Sequence, residues 1–94
     1  MNYTDKIKKD MYSAMKADQK VKANILRSLL AALKKVEIET KSELSEDEFF
    51  SVVKKMVKQL KESVEVYSKA GRMELEEKEK SELEIIKVYL PEQL

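Results

Sequence analysis

Histidine, cysteine and tryptophan are absent from these 94 residues, and glycine and proline occur once each, as Gly71 and Pro91. Each absence excludes something. A chain so poor in turn residues cannot make the frequent tight turns of a sheet protein, so it must be a few long helices. Without histidine or cysteine it lacks the commonest general base, the commonest metal ligand and the best thiol nucleophile. No disulfide framework is possible, which fits a cytoplasmic protein. No apolar run approaches the roughly 18 residues of a membrane span, and the longest, Leu29 to Leu33, has five. The opening Met1-Asn2-Tyr3-Thr4-Asp5-Lys6 has no apolar region of a secretory signal. No membrane contact, cofactor or metal is expected.

What is present is charge. Asp, Glu, Lys and Arg make up 39% of the chain, yet 43% is hydrophobic, too much for a disordered segment. The length is that of one domain, residues 1–94. The net charge of +1 hides an asymmetry: residues 1–41 carry +5, residues 42–70 carry −1 and residues 71–94 carry −3. Either the two ends pack together and neutralise each other, or the basic half meets an anionic partner that the acidic end repels.

Apolar spacing marks four helices. The first is expected from Thr4 or Asp5 to Ala17, with Thr4 as N-cap and Tyr3, Ile7, Met11 and Ala14 as its stripe. Asp18 is a candidate cap for the second, Lys20 to Lys41, whose stripe is Leu26, Leu29, Leu30, Leu33 and Val36. Ser45-Glu46-Asp47-Glu48 reads as a capping box. It opens a third helix to about Ala70, with Phe49, Val53, Met56, Leu60, Val64 and Tyr67 inward, expected to be the most buried. Gly71 suits the left-handed C′ position. A fourth helix is expected from Met73 to Leu90, with Leu75, Leu83, Ile86 and Leu90 inward, ended by Pro91. The fold class is all-α, a compact antiparallel bundle of about four helices.

Lys54, Lys55, Lys58 and Lys61 fall opposite the apolar face of the third helix. With Arg72 beyond its end they make a basic ridge of roughly 25 Å at 1.5 Å per residue. Lysines so spaced can straddle successive phosphates, and binding would weaken steeply with salt. The plainer reading is a solvated face, since Glu62 and Glu65 interleave, Lys58 can pair with Glu62, and no aromatic residue is placed to stack on bases. Gly71-Arg72 reads as a helix–helix turn or as an anion-binding helix start. Glu79 and Glu82 fall on the apolar face of the fourth helix and Glu37 on that of the second. Interhelical ion pairs with Arg27, Lys34 or Arg72, or water at the bundle ends, would satisfy them. A metal site in a bundle would need Glu-x-x-His motifs. The serines have no histidine to activate them, and Met11, Met15 and Met56 sit in apolar stripes as core filler.

Tyr67-Ser68-Lys69-Ala70-Gly71-Arg72-Met73-Glu74-Leu75 and the run from Glu82 to Leu94, ending Tyr89-Leu90-Pro91-Glu92-Gln93-Leu94, resemble the YqeY-like proteins. These are related to the helical tail region of GatB, a subunit of the glutamine-dependent aminoacyl-tRNA amidotransferase. Asp10-Met11, Ala14-Met15-Lys16, Ile25 to Leu29 and Val57 to Ser63 carry the likeness along nearly the whole chain. Family members continue past the Pro-Glu-Gln-Leu segment with a second small helical region, so the chain resembles their N-terminal part. Relatives are often richer in arginine near Lys58. The resemblance implies a non-catalytic helical binding module associated with tRNA or a tRNA-processing protein complex, and the basic ridge read from helical spacing, Lys54, Lys55, Lys58, Lys61 and Arg72, would supply its nucleic-acid contacts. Two other readings stay open: a protein–protein adaptor that touches no nucleic acid, and glutamine-dependent carbon–nitrogen ligase activity by family association alone. An exposed apolar groove would favour the adaptor. A continuous positive strip over the second and third helices would favour tRNA.

Overall fold

Each helix boundary has a local cause. The computed structural model describes residues 2–91, with helices α1 (Tyr3–Lys16), α2 (Lys20–Thr40), α3 (Glu46–Lys69) and α4 (Met73–Lys87). Among the described residues there is no strand. The cap of α1 is Asn2, whose Oδ1 accepts from the Asp5 N–H at 2.8 Å. This corrects the expectation for Thr4: it lies inside the helix, buried, and its hydroxyl donates to Glu37 of α2 at 2.9 Å. The capping box at α3 forms in full. The Glu48 N–H donates to Ser45 Oγ at 3.1 Å, and the Ser45 N–H donates to Glu48 Oε1 at 2.9 Å.

With one glycine, the turns are closed mostly by other residues in the left-handed region. Gly71 (φ 71°) ends α3 as expected, the Arg72 N–H reaching back to the Tyr67 carbonyl at 2.9 Å and the Gly71 N–H to Ser68 at 3.2 Å. The same Schellman arrangement ends α1 without glycine: Asp18 has φ 57°, and the Gln19 N–H donates to the Ala14 carbonyl at 2.9 Å. Asp18 therefore terminates α1 and does not cap α2, whose N-cap is Gln19 with no side-chain bond. Lys41 ends α2 at φ 56°. A short polar Asp tolerates this geometry, whereas a lysine Cβ is strained in it.

Two helical hairpins result, α1–α2 and α3–α4, and α2 packs against each of the other three helices. Its Ala23, Ile25, Leu26, Leu29, Leu30 and Leu33 are all buried, against four buried residues on α3. The most buried helix is thus α2, not α3, because α2 is covered from both hairpins while α3 keeps its lysine face in water. Ile7 and Met11 meet this row from α1, Phe49, Val53, Val57 and Leu60 from α3, and Leu83 and Ile86 from α4. At one end Tyr3 stacks on Phe49 with ring centroids 4.4 Å apart, and Phe50 meets Phe49 edge-on at 5.5 Å.

The fourth helix departs most from expectation. It stops at Lys87, and Leu75 is 39% exposed and not part of the core. Past it, the Tyr89 hydroxyl donates to Asp10 Oδ2 of α1 at 2.6 Å. Burial, then this bond and the Asp10 charge, push the phenol well above its ordinary range. Glu82 lies on the inward face of α4, 9% exposed. Burial, followed by hydrogen bonding to Glu79 and the Glu79 charge, pushes its carboxyl up to about 7 against the opposing pull of Lys78. The expected interhelical ion pairs do not form. The salt bridges among the described residues all lie within α3 or α4, at Lys69–Glu65, Lys80–Glu76, Lys80–Glu77 and Lys87–Glu84. Among the described residues, therefore, no ion pair links the basic first half to the acidic end. Glu37 takes the Thr4 hydroxyl in place of a cation.

Two outcomes follow from these local arrangements. Lys41→Gly relieves the left-handed lysine and raises stability by about 1 kcal/mol, seen as a melting temperature higher by about 4–8 °C in calorimetry. The Glu82 carboxyl is raised in the folded state, so its favourable protonated form is present below pH 4.5 and stability falls as pH rises from there through about 7. Glu82→Gln keeps a neutral donor beside Glu79, so the variant is more stable than the parent at pH 8 by about 1 kcal/mol and equal to it at pH 4. Denaturant titrations at the two pH values measure this difference.

Candidate functional site

The outer face of α3 follows from its own periodicity. Once Phe49, Val53, Val57 and Leu60 turn inward, residues 54, 58 and 61 must turn outward on neighbouring rows. Lys54, Lys58 and Lys61 are all exposed on that face, within two turns, and none takes part in a salt bridge among the described residues. The Lys58–Glu62 pair open to the helix spacing is not made. Glu65 pairs instead with Lys69 at 3.0 Å. The basic face is therefore shorter than the sequence suggests. It spans about 10 Å from Lys54 to Lys61, at 1.5 Å per residue, and is then interrupted by Glu62 and the Glu65–Lys69 pair.

Lys55 and Arg72 stand apart from it. Lys55 points toward a cleft of about 300 Å³ between α2 and α3, whose opposite wall carries Lys35. Arg72 is exposed at the α3–α4 turn, where it is the N-cap of α4 without a side-chain bond. Glu74 and Glu76 fill the first turn of α4, so the partial positive charge of that helix start already faces carboxylates. Gly71-Arg72 is accordingly a helix–helix turn. The structure brings Lys54, Lys58 and Lys61 together, sets Lys55 at their edge and leaves Arg72 about 16 Å further along the axis, at 1.5 Å per residue.

Other side chains have local duties. The Ser28, Ser81 and Thr40 hydroxyls donate to carbonyls one turn back, at 3.3, 3.0 and 3.0 Å. Of the methionines expected as core filler, Met11 is buried and Met56 half-buried, but Met15 is 48% exposed. Among the described residues no group of three potential metal ligands comes together; Glu79 and Glu82 are a carboxyl pair and nothing more. Sequence reasoning missed Lys35. The signal was available, because Lys34-Lys35 on one helix repeats as Lys54-Lys55 on the next, but which lysine of each pair faces the cleft depends on how the helices pack. The arrangement can do electrostatic work on an anionic surface.

A second surface lies between the end of α4 and the start of α2. A shallow hollow of about 260 Å³ lined by Lys22, Glu84, Ile85, Val88 and Tyr89 sits where α4 ends against the start of α2. Val88 there is 76% exposed.

Comparison with known proteins bears on residues 4–94, which match the family model of the YqeY-like proteins. One similar relative is altered inheritance of mitochondria protein 41, mitochondrial, of Lachancea thermotolerans. It is 38% identical over 85 residues, which cover 89% of this chain and 46% of the relative. The protein of the same name in Eremothecium gossypii is 35% identical over 92 residues, covering 94% and 50% respectively. An uncharacterized protein of Schizosaccharomyces pombe is 31% identical over 86 residues, covering 92% and 70%. The chain thus spans about half the length of the relatives named for mitochondria. Those names overturn the expectation of a cytoplasmic protein and point to mitochondria. A lack of cysteine excludes disulfides and does not tell one compartment from another. The match over residues 4–94, nearly the whole length, makes this chain a member of the YqeY-like family.

Proposed function

We propose that this chain is a non-catalytic binding module that acts through the lysine face of α3 on the phosphate backbone of tRNA, alone or within a tRNA-processing complex. One observation carries the reading: Lys54, Lys58 and Lys61 stand exposed within two turns, with no carboxylate among the described residues drawn onto them. An ammonium left free of ion pairs exchanges only water and counterions when a phosphate arrives, so its contact costs little. The apolar stripe behind these lysines is rigidly placed by Val53, Val57 and Leu60. The face is therefore presented at fixed spacing rather than on a mobile tail. Lys55 extends it sideways, and Arg72 offers a more distant contact.

The adaptor reading keeps one observation of its own, the hollow at Lys22, Ile85, Val88 and Tyr89 with its exposed valine. That hollow shares no lining residue with the lysine face, so the two readings separate by mutation. Fluorescence anisotropy with labelled total tRNA at two salt concentrations, using Lys54→Glu, Lys58→Glu and Lys61→Glu combined, is the test. The triple variant weakens binding at least about tenfold and flattens the salt dependence by about two to three. The same change at Lys6, Lys9 and Lys16 of α1 weakens it much less. Equal loss from both variants, or no loss from either, contradicts the proposal. Loss on changing Val88→Asp alone favours the adaptor.

A further inference from the structure

Three hollows adjoin around the start of α2. One of about 320 Å³ lies against the end of α1 and includes Met15, Lys20 and Arg27 in its lining. A second, of about 390 Å³, shares Gln19 and Lys20 with it and runs past Val21 to Ile85 of α4. The third is the hollow at Val88, which shares Lys22 and Ile85 with the second. Together they form one trough. Met15, Val21 and Val88 in its lining are all among the exposed large hydrophobic side chains of the molecule, and Ile85 beside them is half-buried. Exposed apolar side chains gathered in one place mark an interaction surface, whereas single ones do not.

The charge of the trough has a prevailing sign. Lys20, Lys22 and Arg27 line it, and none takes part in a salt bridge among the described residues. Against them stand Asp18 and Glu84, and Glu84 already accepts from Lys87 at 3.4 Å. The start of α2 adds to the excess. It has no acidic residue in its first turn and no side-chain cap, so its N–H groups hold partial positive charge toward whatever lies there.

Apolar surface and cationic excess together select the occupant. The backbone of a nucleic acid would meet the lysines, but it has no apolar stripe to lay on Met15, Val21 and Val88. The one aromatic ring in the lining, Tyr89, is half-buried with its hydroxyl given to Asp10, and so is not free to stack on bases. A second copy can offer the acidic start of α4, where Met73 and Leu75 are exposed beside Glu74 and Glu76. That contact joins unlike surfaces and builds rings or open chains rather than a pair. We propose that the trough docks an acidic amphipathic helix of a partner protein. Its apolar stripe covers Met15, Val21, Ile85 and Val88, and its carboxylates meet Lys20, Lys22 and Arg27. The site is separate from the lysine face of α3 and does not rest on the RNA reading.

The probe is a fluorescein-labelled peptide of Leu-Glu-Glu-Leu repeats, about 16 residues and so long enough to form a helix. It is titrated by anisotropy beside Leu-Lys-Lys-Leu and Ala-Glu-Glu-Ala peptides of the same length. The Leu-Glu peptide binds at least about tenfold tighter than either, and Lys22→Glu and Val88→Asp each weaken it about fivefold or more. Val88 is exposed at the C-cap of α4, where an aspartate leaves the core untouched. Asp18→Asn, which tolerates the same left-handed backbone, tightens binding about twofold, a gain that misfolding cannot mimic. Lys58→Glu changes it less than about twofold. Failure of the Leu-Glu peptide to bind, equal binding of either other peptide, or indifference to Val88→Asp overturns the inference. Self-association in sedimentation velocity that Val88→Asp abolishes assigns the trough to a second copy, and loss of total-tRNA binding in Lys22→Glu and Val88→Asp assigns it to nucleic acid. Either result overturns the acidic helix.

Discussion

The apolar row of α2 is the constraint on which the rest depends. Leu26, Leu29 and Leu33 are fully buried, and Ile25 and Leu30 nearly so. They are buried because α1 folds back on one side while the α3–α4 hairpin closes the other. Neither hairpin could cover its own apolar stripe alone. A bundle of this size has a modest core, so removing a leucine from this row leaves a cavity felt by both hairpins. The polar contacts that cross between helices are few and sit at the margins. Thr4 meets Glu37 at one end, Tyr89 meets Asp10 where α4 has ended, and Tyr3 stacks on Phe49 between the starts of α1 and α3. They fix orientation around a core that burial alone assembles.

This division of labour leaves the charge on the surface free. The salt bridges among the described residues are short-range pairs within α3 or α4, all but Glu76 well exposed, and contribute little to stability. The lysines of α2 and of the first half of α3 are not used to hold helices together. A fold that spends no cations on its own packing has them available for a partner, and α3 presents three in register. The acidic pair on α4 works the other way. Glu82 is held inward beside Glu79, and burial and that neighbour outweigh the pull of Lys78, so the helix binds the bundle better when that carboxyl carries its proton.

How much of this the sequence shows depends on the range of the interaction. The capping box at Ser45 and the Gly71 turn are local, and both form as their residues dictate. The apolar stripes of α1, α2 and α3 are read from spacing, and their central residues are buried. The errors occur where packing decides. Thr4 and Asn2 are both good caps, and the chain uses Asn2 because Thr4 is turned toward Glu37. Asp18 has the chemistry of an N-cap and of a left-handed residue, and the close return of α2 selects the second. Leu75 has the right period but lies on the first turn of α4, before that helix meets α2. At the binding face, the outward placement of Lys54, Lys58 and Lys61 follows from period alone. Lys35 does not, because its meaning comes from a second helix across a cleft.

Amide resonances of a protein this small report on every surface at once, so a ¹⁵N-labelled titration with total tRNA tests the central claim most directly. The account requires the largest perturbations at residues 54–61, with the α1 surface unchanged. Perturbations centred on Met15, Val21 and Val88, or spread evenly over every lysine, would contradict it.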